Sequence, residues 1–367
     1  MSPPVSIEAR HIDVRDTSRE SSPLTRTMHE AGATATRARF RDRPPQIIYS
    51  TLSTQSIKRL VHRHYDFKDS LECVLYQRGV NDIYLLSSGE YQFALRLSRS
   101  NWRSREAISG ELTALKHLSL KGVDVALPLS RRDGDTITEV SAPEGLRRAV
   151  LFSWAKGQTP KYTEPAHALR YGRLLSALHT AAEDLPPTGS RPELDLNYLL
   201  CRPMELIRPR LKRLPAAWKR LESLVGRMRR QFTSGHLRLS DWGFCHGDVH
   251  GSNARIDGDR LVLFDFDSCG SGWRVFDLAS YRWEARRQCA ETEAWGPFVK
   301  GYLQLRPAAV QFMEFVGLFM ILKHLWTTGQ WIVLSAESGI SQLPDDFFED
   351  LVPYCEAIER ETVATPY

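Results

Sequence analysis

Paired cysteines are missing from this sequence. Its six cysteines (Cys73, Cys201, Cys245, Cys269, Cys289, Cys355) are scattered, with no C-x-x-C spacing. A secreted disulfide framework would be denser and a structural zinc site would show paired ligands, so reduced thiols of a cytoplasmic protein are expected. Also missing is a run of about eighteen apolar residues without charge, which argues against a membrane partner. The most apolar stretch, 312–334, is broken by Glu314, Lys323, His324 and Gly329 and reads as a buried helix. Charge of one sign is barely in excess: 49 Lys and Arg against 44 Asp and Glu leave +5. So small a surplus gives no reason to expect a nucleic-acid partner. Internal repeats are absent. Residues 1–45 have few large apolar side chains and no continuous apolar core of a secretory signal. Their acids (Glu8, Asp13, Asp16, Glu20, Glu30) do not suit an organellar transit peptide. That stretch reads as a disordered tail.

What is present is ordinary globular material, 42 % hydrophobic in 367 residues, enough for two lobes with cores. Residues 56–64 have the spacing of a short amphipathic helix. Residues 73–76, 83–87 and 91–97 read as strands, with a turn at Gln77-Arg78-Gly79-Val80-Asn81 and a hairpin at Gly89-Glu90. A helix is expected over 103–120, where Ile108, Leu112, Leu115 and Leu118 share a face and Lys121-Gly122 ends it. Segments 127–129, 136–140 and 148–152 supply two or three more strands. After a connector at 153–158 the pattern turns helical (167–182, 203–211, 216–232, and again from 276), interrupted by a hairpin around Asp257-Gly258. The expected class is α+β, with a small antiparallel β N-lobe at 46–152 and a larger helical C-lobe at 153–367.

Chemistry concentrates in one segment, Phe244-Cys245-His246-Gly247-Asp248-Val249-His250-Gly251-Ser252-Asn253, followed by Leu263-Phe264-Asp265-Phe266-Asp267. Asp248 and Asn253 keep the spacing of a kinase catalytic loop, and Asp265-Phe266 stands where its second metal-binding motif belongs. Phosphoryl transfer asks a protein for positioning and charge neutralisation. A carboxylate such as Asp248 can orient an acceptor hydroxyl and take its proton. The Asn253 amide oxygen and the Asp265 carboxylate are hard ligands that suit Mg²⁺. His246 reads as a brace for the loop. His246 and His250 imitate the spacing of H-E-x-x-H, but glycine follows each of them and no Glu does, which disfavours a zinc helix. Cys245 and Cys269 read as small core residues.

These residues, with Gly270 and Asp277-Leu278-Ala279, resemble the aminoglycoside phosphotransferase and choline kinase-like family, and 261–279 is especially similar to its homoserine kinase-like branch. The resemblance implies a protein-kinase-like two-lobed fold. It also implies Asp248 as catalytic base, Asn253 and Asp265 as magnesium ligands, and Asp277 as support for the loop. It places the nucleotide-binding cation at Arg96, where the family has Lys, paired with Glu111. The connector, Phe152 and Ser153 included, would hold the base through its backbone, and 77–81 would cover the nucleotide with a single glycine. Arg keeps the charge but presents a planar fork in place of a point charge.

The expected function is therefore transfer of the γ-phosphate of ATP or GTP to a hydroxyl of a small acceptor, amine-bearing in one reading. A protein or peptide kinase and a non-catalytic kinase-like binding module are the alternatives. A cationic acceptor would want carboxylates, for which Glu314, Asp345, Asp346, Glu349 and Asp350 are candidates, or the faces of Trp283, Trp326 and Trp331. Oligomeric state is not legible.

Overall fold

The computed structural model describes residues 45–186, 188–233, 241–339 and 343–364. The chain divides into two compact units, 1–47 and 48–367. Apart from its last residue, the expected tail at 1–45 lies outside the described residues. Among the described residues, every helix and strand belongs to the second unit.

The first part of that unit is a five-stranded antiparallel sheet ordered β1-β2-β3-β5-β4. The strands are β1 (Leu71–Arg78), β2 (Asn81–Ser88), β3 (Tyr91–Ser98), β4 (Ile137–Ala142) and β5 (Gly145–Ser153). Because side chains alternate along a strand, Tyr84 and Leu86, Leu95 and Leu97, and Ala149 and Leu151 all face one side. There they form a small core with Ile57 and Val61 of helix α1 (Thr54–His64), whose N-terminus is capped by Ser53. Val150 and Phe152 face the other side, toward helix α2 (Arg105–Leu120). The Ser104 side chain caps α2, and the expected stripe of Ile108, Leu112, Leu115 and Leu118 is buried throughout. Arg96 shares this inner face and so points into the cleft between the lobes.

Two expected elements differ. Residues 127–129 form no strand: Pro128 makes only an isolated bridge to Phe152, since proline has no N–H to extend a ladder. In place of one helix over 203–211 there is a π turn (Asn197–Cys201), a short helix α4 (Arg202–Ile207) and a 3-10 turn (Arg210–Arg213). Pro209, which caps the last of these, removes the donor a continuous helix would need.

The second part is mainly helical, with α3 (Pro165–Ala181), α5 (Pro215–Thr233), α6 (Val275–Arg287), α7 (Glu291–Leu303), α8 (Val316–Ser338) and α9 (Asp345–Ala364). Helices α3 and α7 cross so closely that a Cβ on Gly172 would lie 2.0 Å from the Phe298 carbonyl oxygen, and one on Gly301 would lie 2.1 Å from that of Leu169. Two short hairpin-like pairs sit at the lobe junction: β7 (Ala254–Asp257) with β8 (Arg260–Leu263), and β6 (Trp242–Cys245) with β9 (Gly270–Trp273). The second pair was not expected, because its four-residue strands are rich in glycine and carry no alternation. Residues 307–337 are long and apolar enough to cross a membrane by length and composition, yet 61 % of their most apolar window is buried inside the protein. That helix is the spine of the large core.

Candidate active site

The catalytic-loop segment runs from β6 to β7, and its shape follows from three constraints. Gly247 adopts φ +82°, a left-handed conformation, and a Cβ there would lie 2.2 Å from the Ser268 carbonyl oxygen. The backbone N–H groups of His246 and Gly247 donate to the two oxygens of Asp277, at 2.7 and 2.8 Å. Asp277 is fully buried at the start of α6 and is met from α3 by His179 Nε2 at 3.0 Å. The other ring nitrogen of His179 contacts the Tyr302 hydroxyl at 2.7 Å. His246 accepts the Asp248 N–H on Nδ1 at 3.3 Å and lies 3.1 Å from the Phe264 carbonyl through Nε2. It therefore ties the loop to the segment that carries Asp265. Burial lowers the His246 pKa, so the ring stays neutral and Nε2 carries the proton.

Asp248 emerges from this frame with both oxygens engaged. Lys323 Nζ donates to Oδ1 at 2.5 Å, and His250 Nε2 lies 3.4 Å from Oδ2. Burial by itself would raise the pKa of this carboxyl, but the two cations hold it well below the usual carboxylate range. The same pairing raises His250 above its ordinary value against the effect of burial. Lys323 is 2 % exposed and projects from the middle of α8. Nothing in the local motif announces it. The signal was a lone lysine in the most apolar stretch of the chain, since a buried ammonium demands a partner.

Asn253 donates from its amide nitrogen to the Asp248 carbonyl at 3.0 Å, which leaves the amide oxygen for a cation. Asp265 sits in the left-handed region at φ 62°, ψ 62°, a conformation that costs a non-glycine residue of order 1 kcal/mol and is tolerated best by Asp and Asn. Desolvation by the cleft walls, with repulsion from Asp267 and Asp248, pushes its pKa up to about 6 even though Arg96 opposes the shift, while 44 % of the side chain stays open to the cavity. Crowded carboxylates of this kind are what a divalent cation would relieve. Asp267 is otherwise occupied: Trp102 Nε1 donates to it at 2.7 Å and Arg103 lies at 3.5 Å. Buried Arg191 pins the same turn through the carbonyls of Cys269 at 2.8 Å and Phe266 at 3.2 Å.

In the N-lobe Arg96 makes a two-pronged pair with Glu111, both bonds at 2.7 Å, and stands 3.8 Å from Asp265 and 5.1 Å from the centre of the Phe152 ring. The planar fork that distinguishes Arg from Lys is thus used on Glu111. Around these groups lies a cavity of about 470 Å³ that includes Gln77, Gly79, Phe152, Ser153 and Ala155. The Ser153 N–H is committed to the Leu127 carbonyl at 2.8 Å and the Trp154 N–H to Gln92 at 3.3 Å. Arg99 grips the covering turn, donating to the carbonyls of Gly79 and Val80.

A second cavity, of about 260 Å³, opens on the other side of Asp248. Trp283, Trp326 and Trp331 line it, but Glu314, Asp346, Glu349 and Asp350 do not: all four are exposed elsewhere, since the turns of their helices face them outward. The Asp345 side chain lies outside the described residues. The helices add the polar groups of Glu284, Arg287, Thr327 and Gln330, none of which the sequence singled out, and Asp248, His250, Asp265 and Asp267 complete the polar lining. Among the described residues no cluster of three His, Cys, Asp or Glu side chains forms a metal site of the zinc type. Cys245 and Cys269 are fully buried, and burial raises both thiols, Cys269 to about 12, which removes them as nucleophiles.

Comparison with known proteins gives a consistent result. The model of the phosphotransferase enzyme family (APH) matches residues 77–309. An uncharacterized protein of Deinococcus radiodurans is 35 % identical over 307 residues, spanning 82 % of this chain and 89 % of its own length. The amicoumacin kinase of Bacillus subtilis is 23 % identical over 78 % of this chain and 87 % of its own. Among solved structures, the amicoumacin kinase hAmiN in complex with AMP-PNP, Ca²⁺ and Ami shares the fold, with TM-score 0.68, 20 % identity, and coverage of 86 % of this chain and 96 % of that one.

Proposed function

The chain belongs to the phosphotransferase enzyme family of small-molecule kinases, and we propose that it moves the γ-phosphate of ATP or GTP onto the hydroxyl of a small alcohol, with Asp248 as base. One observation carries the residue assignment: of the two carboxylates that line both cavities, Asp248 is the one held by Lys323 and His250, whereas Asp265 stands 3.8 Å from Arg96.

The larger cavity takes the nucleotide. Arg96, fixed by Glu111, lies against the phosphates. Since the N–H groups of Ser153 and Trp154 are spent within the protein, Ala155 supplies the backbone donor to the edge of the base, and the Phe152 ring closes the pocket behind it. Asn253 and Asp265 hold Mg²⁺, which neutralises triphosphate charge when bound. Asp267 supports the turn through Trp102 and Arg103.

The acceptor hydroxyl enters from the smaller cavity and hydrogen-bonds to Asp248, which Lys323 and His250 keep ionised and aimed. As the hydroxyl oxygen bonds to the γ-phosphorus, the bond from that phosphorus to the β–γ bridging oxygen breaks. The hydroxyl proton passes to Asp248. A base so placed contributes roughly 10² to 10⁴ in rate. Asp277 and His246 act only by holding the loop in this geometry.

The test is nucleotide binding by thermal shift, with Mg-ATP and Mg-GTP against Mg²⁺ alone, on wild type and Asp265→Asn. The proposal expects a magnesium-dependent shift that the variant loses. A shift unaffected by the substitution would remove Asp265 from the metal site, and no shift with either nucleotide would overturn the nucleotide assignment.

A further inference from the structure

The smaller cavity also speaks to the charge of the acceptor, an inference that rests on the kinase reading above. Its tryptophan faces already carry cations of the chain. The Arg287 guanidinium lies over Trp283 at 4.9 Å and over Trp331 at 5.4 Å from the ring centres. Lys323 Nζ lies 4.5 Å from the centre of Trp326. An ammonium-bearing acceptor seeks those same π faces and would meet like charge at each.

The hydrogen-bonding demand of the wall has the same sign. Arg287 donates no hydrogen bond to a protein group among the described residues. Its nearest carboxylate is Glu284, at 3.9 Å on the same helix, and Glu284 already accepts from Gln288 Nε2 at 2.8 Å. The side chain of Arg287 is 40 % exposed. A guanidinium offers five donors and no acceptor. The carboxylates that line the cavity are engaged elsewhere, Asp248 by Lys323, Asp265 by Arg96, Asp267 by Trp102 and Arg103, and Glu284 by Gln288, which leaves Arg287 as the lining guanidinium without a hydrogen-bonded partner among the described residues.

We propose that the acceptor is a short alcohol carrying a carboxylate, with Arg287 holding that carboxylate while the hydroxyl meets Asp248. A guanidinium grips a carboxylate with two parallel bonds, which fixes direction as well as charge. The volume of about 260 Å³ accommodates a short hydroxy acid. The products are the phosphate ester of the hydroxy acid and the nucleoside diphosphate, with the hydroxyl proton released through Asp248.

The experiment compares glycerate, glycerol, serine and serinol as acceptors, three-carbon alcohols that differ in charge, by initial rates of nucleoside diphosphate release from Mg-ATP. Glycerate is expected to exceed serinol in kcat/KM by about tenfold or more. Arg287→Met is expected to raise the KM for glycerate about tenfold with a much smaller change in kcat, and Arg287→Lys to recover part of it. A retained magnesium-ATP thermal shift certifies that each variant is folded. Preference for serinol, or a glycerate KM that Arg287→Met does not move, overturns the anion assignment and leaves the kinase reading intact. Transfer to none of the four by protein that binds Mg-ATP overturns the short hydroxy acid, whereas absence of nucleotide binding overturns the kinase reading itself.

Discussion

The two cavities that meet at Asp248 are built in different ways. The nucleotide cavity is walled by loops and strand ends whose reacting groups lie close in sequence: Asn253 is five residues from Asp248, and Asp265 twelve further on. Much of its work is done by backbone groups and by carboxylates at fixed spacing. Beyond the loop residues that reach into both cavities, the acceptor cavity is walled by side chains from two helices, Trp283, Glu284 and Arg287 on α6 and Trp326, Gln330 and Trp331 on α8. Backbone-built sites tolerate little variation in order, because each residue must supply a particular dihedral or ligand. A helix wall can exchange side chains without disturbing the fold. One site can therefore keep its phosphate chemistry while its acceptor changes.

Asp248 stands on the seam, and losing it should have the largest effect. Asp248→Ala is expected to lower kcat by roughly 10² to 10⁴ while the magnesium-nucleotide thermal shift persists. A variant that keeps near-normal turnover would break the division of labour between the cavities. Lys323 projects from α8, the helix that carries Trp326, Gln330 and Trp331, but acts on the seam. Lys323→Met should cost about tenfold to a hundredfold in kcat. Removing this cation lets the Asp248 pKa climb, so the acid limb of the kcat/KM profile should move to higher pH. A profile with an unmoved acid limb would show that Lys323 only packs.

Asp277 tests the backbone-built side. In Asp277→Asn one of the two carboxylate oxygens that accept the His246 and Gly247 N–H groups becomes a donor, at a cost of about 1–3 kcal/mol measurable by urea unfolding. Unchanged stability would mean that the loop holds its shape without this clamp. His324 tests the helix wall by pH. Its ring lies between Trp283 and Tyr354, and burial, aided by Arg287, pushes its pKa down to about 3. The unfolded chain takes up that proton below about pH 6.5 and the folded one does not. Stability is therefore present above the unfolded value and lost as pH falls from about 6.5 toward 3. At pH 5 the loss is of order 1–2 kcal/mol. His324→Phe should reduce this acid sensitivity relative to wild type, and equal pH dependence of the two proteins would remove His324 from the account.

Legibility in the sequence followed the same division. The order and spacing from His246 through Asp277 declared a kinase-type site, and the alternation of 91–97 and the stripe of 103–120 declared the lobe that covers it. Arg96 and Glu111 were placed as a pair, and their contact is direct. Segments whose conformation rests on distant partners were not legible: the glycine-rich pair β6 and β9, the broken helix near Pro209, and the clamp of Arg191 on the Asp267 turn. Glu314, Asp346, Glu349 and Asp350 lay on the wrong helix faces for the acceptor, and the helix carboxylate that does line the cavity, Glu284, sits beside a tryptophan already noticed.

The sequence by itself determined the phosphate chemistry, because loops bring groups a few residues apart to one point and their spacing is preserved on folding. Tertiary structure decided what surrounds the acceptor. A helix shows the same apolar period whether its face packs into the core or lines a pocket, so only tertiary packing could set Arg287 of α6 over Trp331 of α8 and bring Lys323 to Asp248.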